Sequence, residues 1–195
     1  MTKTSVFVVC TLALALCTSS LWAATTPPAD VLKVDYFANA NTSGAPDGTV
    51  RIDNPGTSGG GLCAAIFVFD VNQEMSECCS CYVSPDGLRT LSVNADLTSN
   101  PLTGATLASG VIKIVSTTPG AGKSCPNPTN ASDLVPTPAV RAWATHIQNS
   151  NYTVTETASQ DATLSSAEAG NLASECRSIH NVGSGAGVCT CGTGD

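Results

Sequence analysis

Basic residues are scarce in this chain. Eight Lys and Arg stand against fifteen Asp and Glu, for a net charge of −7, and none of the eight lies beside another. A nucleic-acid partner needs a basic patch, so that class is excluded. Charge of either sign is thin, at 12% of residues, which leaves Ser, Thr, Asn and Gly to cover most of the surface. Histidine occurs twice, at His146 and His180, so acid–base chemistry at neutral pH has few carriers. After the first two dozen residues no apolar run approaches the ~20 residues of a membrane-spanning helix. No internal repeat, no D-x-D-x-D-G loop and no cofactor fingerprint is present.

Cysteine is plentiful. Lys3, the apolar run 5–17 and the small residues around Ala23 and Ala24 have the form of a signal peptide over residues 1–24. The remaining residues, 25–195, read as one secreted β-rich domain. A lipidation site at Cys17 would want a small residue before it, and Leu16 stands there. Cys10 and Cys17 lie in the signal. Eight cysteines remain: Cys63, Cys78, Cys79, Cys81, Cys125, Cys176, Cys189 and Cys191. An even count in an exported chain predicts four structural disulfides, with about 105 possible pairings. Seven basic residues then face fifteen acidic ones, a mature charge of −8.

The stretch 62–81, LCAAIFVFDVNQEMSECCSC, organises the chain. Residues 63–71 are apolar on both alternations apart from Asp70, which predicts a strand buried on both faces. It runs into three cysteines. Cys78 and Cys79 are adjacent, so they are expected to find different partners. At least one cysteine of 78–81 is expected to reach the C-terminal Cys189 or Cys191, making the tail a clasp.

The rest reads as short strands between turns. Strands are predicted over 31–38, 50–52, 91–97, 111–115, 140–148 and 152–157, with Lys113 facing outward. Pro85-Asp86-Gly87 is a turn signal. The segment 118–138 carries five of the eleven prolines and reads as a long loop stapled by Cys125. One helix is predicted, capped by Ser165 with Glu168 in a capping box, burying Ala169, Leu172, Cys176 and Ile179, and ended by the glycines of 183–187. The fold class is mainly β: an antiparallel sandwich, of immunoglobulin-like architecture among those open to it, with one C-terminal helix and disulfide staples.

Several motifs offer chemistry. Gly56-Thr57-Ser58-Gly59-Gly60 is similar to the nucleophile loop of chymotrypsin-like proteases, but Thr57 replaces its Asp and both histidines follow rather than precede it. It reads as a flexible loop. Cys78, Cys79, Cys81, Cys189 and Cys191 with His180 offer thiolate ligands for a metal, against the disulfides that an oxidising compartment favours. Asp70, Glu74 and Glu77 suggest calcium or a glycosidase pair and read more simply as a solvated connection. Trp143 and Tyr152 suggest a sugar platform, with Trp143 more simply a core residue and His146 a surface one. Asn41, Asn130 and Asn151 open N-x-Ser/Thr acceptor patterns. No catalytic, cofactor or metal residue is assigned.

The segment 54–81 with the following SPDGLRTLSVN resembles a group of uncharacterised exported cysteine-rich bacterial proteins, and the final ECRSIH and GVCTCG fit the same pattern. The resemblance implies export and carries no activity. The expectation is a secreted, periplasmic or cell-surface protein, structural or binding in role, including a matrix or filament subunit. Its partners would be other extracellular proteins or further copies of itself. The alternatives are an exported hydrolase built on His146 or His180 with nearby carboxylates, and a thiolate metal binder.

Overall fold

A computed structural model of the chain describes residues 31–98, 106–182 and 189–194. The signal expected over 1–24 and the glycine stop at 183–187 lie outside them.

The apolar run becomes β3 (Leu62–Asp70), hydrogen-bonded on both sides. Its partners are β4 (Met75–Val83) and β6 (Gly110–Thr117). Then come β1 (Leu32–Phe37) and β9 (Gln160–Ala162), completing a five-stranded antiparallel sheet, here sheet A, of order β4-β3-β6-β1-β9. Sheet B is also antiparallel and five-stranded, with order β10-β5-β2-β7-β8. It contains β2 (Thr49–Asp53), β5 (Leu88–Ser92), β7 (Arg141–Gln148), β8 (Thr153–Ala158) and the two-residue β10 (Thr193–Gly194). The helix α1 (Ser166–Val182) covers the outer face of sheet A. Among the described residues no helix is long and apolar enough to cross a membrane.

Burial on both faces of β3 follows from this layering. Ala64, Ile66 and Val68 point between the sheets and meet Val50, Ile52, Leu91 and Ala142 of sheet B. Ala65 and Phe67 point the other way, to Leu172, Ala173 and Cys176 of α1. Each large side chain so buried contributes about 1.5–3 kcal/mol. The helix begins as predicted: the Glu168 N–H donates to Ser165 Oγ at 3.1 Å. The Glu168 carboxylate does not close the capping box. It reaches across to Lys113 at 2.6 Å, so Lys113 faces the helix rather than open solvent.

Three expectations change. The strand predicted over 91–97 stops at Ser92 and gives way to a π-helical turn, Val93–Leu97. Local bonds outcompete the ladder there: the Ala95 N–H donates to Ser92 Oγ at 2.8 Å, and the Ser92 N–H donates to Asp96 Oδ2 at 2.7 Å. Leu97 still enters the inter-sheet core. Secondly, 75–77 is no solvated connection. The turn ends at Glu74, and Met75 opens β4 with Glu77 fully buried. Thirdly, the chain kinks at Ser159 after β8 and adds β9 to the opposite sheet, a strand too short to leave a periodic signal.

Candidate functional site

All eight cysteines of the domain are paired: Cys63–Cys125, Cys78–Cys176, Cys79–Cys189 and Cys81–Cys191. The pleat of β4 explains the pairing. Neighbouring side chains of a strand point to opposite faces. Cys78 therefore meets the helix layer, while Cys79 and Cys81 face the inter-sheet core and take the tail. Cys125 staples the proline-rich loop to β3. The tail lies so tightly on β5 that Gly192, at φ +56°, would place a Cβ 2.2 Å from the Thr90 carbonyl. Among the described residues no thiolate is left for a metal. Cys78, Cys176 and His180 bring possible ligand atoms within 4.8 Å of one another, but the two sulfurs are bonded to each other.

His146 is the first polar group that the sequence misplaced. It is buried, with 3% exposure, in a corner where β1, β7 and β8 meet. Nε2 lies 2.7 Å from Thr157 Oγ1 and 3.4 Å from Asp35 Oδ1, and the ring stacks on Tyr36 with centroids 4.2 Å apart. Asp35 also accepts from the Tyr36 N–H at 2.9 Å and from Ser159 Oγ at 2.8 Å. A Thr–His–Asp set invites comparison with a nucleophile relay. A relay puts hydroxyl and carboxylate on opposite ring nitrogens. Here both address Nε2, and Nδ1 is buried without a partner. The geometry is that of a structural pin beneath β8, beside a cavity of about 260 Å³ lined by Val34, Tyr36 and Gln160.

A second cavity, also about 260 Å³, lies between α1 and sheet A. Phe69, Val111 and Leu172 give it an apolar floor, and Lys113 sits 5.0 Å over the Phe69 ring. Glu175 stands at its wall with its carboxyl held above the usual range by burial, an effect that the nearby Lys113 opposes. Asp70, also on the wall, is held below the usual range, first by the Glu74 N–H and then by Asn72.

Glu77 is the most unusual ionisable group. It is 1% exposed, and neither carboxylate oxygen has a hydrogen-bond partner. Burial, with a smaller contribution from Asp96, pushes its pKa up to about 7. It shares the inward face of β4 with Cys79 and Cys81. Asp70, Glu74 and Glu77 therefore do not form one carboxylate site.

Trp143 is not a core residue. It is half-buried on the outer face of sheet B, opposite Arg51, while its neighbours Ala142 and Ala144 point into the core. Tyr152 lies beyond the far end of β7, its hydroxyl donating to the Ser43 carbonyl at 3.2 Å, so the two aromatics make no common platform. The Asn41 side chain donates to Thr98 Oγ1 and to the Leu107 carbonyl, at 2.8 and 3.0 Å, and is not a free acceptor for a glycan.

Comparison with family models, with curated proteins and with solved structures finds no match. What defines the chain is therefore its own geometry: a disulfide-laced two-sheet β protein with one covering helix.

Proposed function

We propose that this chain is an exported structural or binding module of the cell surface or extracellular matrix. The observation that carries the reading is the complete pairing of the eight cysteines, which ties β3, β4, the long loop, the helix and the tail into one covalent net. Such a net persists only in an oxidising compartment. A surface of low charge density, with the outer face of sheet B uncovered by any described element, suits contact with other molecules rather than chemistry. The hydrolase alternative draws no support from the His146 corner, for the reason given above.

Fractionation combined with thiol counting tests the reading. The expected result is protein outside the cytoplasm with no free thiol after unfolding in the absence of reductant. Cytoplasmic protein carrying several free thiols would overturn it.

A further inference from the structure

Four strands lie at the margins of the two sheets. β9 is three residues long and β10 two. β4 is laced to α1 and to the tail by three disulfides. β8 is different. It has six residues, all exposed, with no Pro, no Lys and an unbroken register against β7. Sheet edges in natural proteins are normally blunted by such features, because a row of open N–H and C=O groups pairs with another chain. Its one charge, Glu156, is paired with Arg51.

The direction of its backbone groups follows from two bonds. The Asn54 N–H donates to the Gly87 carbonyl, and the Ser159 N–H donates to the Ala142 carbonyl. Carried through the registers of β2, β7 and β8, both place Thr153, Thr155 and Thr157 toward β7 and Val154, Glu156 and Ala158 outward. The Ala158 carbonyl is reached by the Gln160 side-chain amide at 3.5 Å. Val154 and Glu156 thus present both of their backbone groups, two N–H and two C=O, and Ala158 its N–H alone. Val154 is 53% exposed, and Tyr36, 47% exposed, stacks on the residue paired with Thr155.

We propose that the partner of this edge is a second copy of the chain, paired β8 to β8, antiparallel, about a two-fold axis at Thr155. Val154 and Glu156, the outward residues with both groups open, can face each other about residue 154, 155 or 156 only. An axis at 156 sets Glu156 against Glu156, and like charges directly opposite are unfavourable. An axis at 154 sets Glu156 against Tyr152, whose φ of +52° is not that of a strand. The axis at 155 sets Val154 against Glu156 twice and uses both backbone groups of each in four hydrogen bonds. It also places Thr153 against Thr157 and Thr155 against itself, pairs that stabilise a sheet. The result is one continuous sheet running through both copies.

This rests on the binding-module reading and names its partner. A failure here would leave the thiol and fractionation result standing, so the two are separable. The test is the mass of the purified exported protein by sedimentation equilibrium over a wide concentration range. The expected result is a reversible dimer. A monomer at every concentration overturns the proposal. Val154→Pro removes an outward N–H without touching the bonds to β7, and is expected to give a monomer that melts close to the parent; a persisting dimer places the contact elsewhere and overturns it. A Thr155→Cys variant decides independently of whether the proline variant folds. Facing residues of this kind sit about 4.5 Å apart at Cα, within the reach of a disulfide. Oxidation is expected to give a covalent dimer whose linked peptide is 155 to 155, with the four native disulfides intact by peptide mapping. A reversible dimer that yields no such link overturns the proposal.

Discussion

Glu77 shows how one buried side chain can make folding depend on pH. Its carboxyl titrates near 4.5 when exposed and is pushed up to about 7 in the folded protein. Between those values the folded state holds a proton that the unfolded state has released. The contribution of Glu77 to stability is therefore fully present below about pH 4.5, falls as pH rises to 7, and is lost above it. The full shift corresponds to about 3 kcal/mol, and screening by water reduces the observable part to roughly 1–3 kcal/mol. Glu77→Gln removes the titration. Chemical unfolding at pH 5 and pH 8 is expected to show the parent losing stability relative to the variant over that interval. Parallel curves for the two proteins would mean that Glu77 is solvated. Nothing in the sequence marks this residue, because alternation gives the face on which a side chain lies and not the depth to which it is covered. A different limit misplaced His146 and Trp143, both on β7: alternation separates two faces and does not say which of them is inward. Phe67 was legible because both of its flanking alternations are apolar.

At the scale of elements, the two-sided burial of β3 makes it the least tolerant strand. Phe67→Asp places an unpaired charge between sheet A and α1, at a cost of several kcal/mol. The variant is expected to accumulate unfolded, or to melt tens of degrees below the parent. Circular dichroism on heating measures it, and a melting point within a few degrees of the parent would contradict the packing described. β3, β1, β7, β8 and α1 could be read from periodicity, caps and turn residues. β4 could not, since its cysteines mask a nine-residue strand and Ser76 and Glu77 near its start are polar. The π-helical turn was missed for a different reason. Its apolar positions keep the alternation of a strand, while Ser92 and Asp96 supply local bonds that draw the backbone away from it.

For the molecule as a whole, the three bonds from β4 act as successive rungs of one ladder rather than independent staples. Cys78–Cys176 closes a loop of 98 residues, for which the chain-entropy model gives about 4–5 kcal/mol. Once it is closed, Cys79–Cys189 adds a loop of only about 14 residues, worth about 3 kcal/mol, and Cys81–Cys191 a still smaller one worth about 2. Their removal is then strongly non-additive. Replacing Cys81 and Cys191 by Ser is expected to cost about 2 kcal/mol by urea unfolding, and truncation after Ile179, which removes both tail bonds, about 5. Losses of about 5 kcal/mol for the first variant and about 10 for the second would show that the tail bonds do not share a loop. The clasp itself was foreseeable, since three cysteines within four residues cannot satisfy one another. Its division between helix and tail depends on the pleat of β4, which the sequence does not reveal.

The same rungs determine what the protein does under load. A chain pulled from the start of β1 and from the tail is not free to uncoil along its length. Tension passes from β1 to β4, crosses at Cys79–Cys189 or Cys81–Cys191, and leaves through the last few residues. Only about 53 residues lie on that path, against about 163 in the reduced chain. At ~3.5 Å per residue the oxidised protein can lengthen to roughly 190 Å and the reduced one to roughly 570 Å. Single-molecule stretching with and without reductant reads the two contour lengths directly. Everything from β5 to α1 is shielded from direct tension, including the long loop and β8, so a subunit stretched between neighbours would stop lengthening at about a third of the reach of the reduced chain.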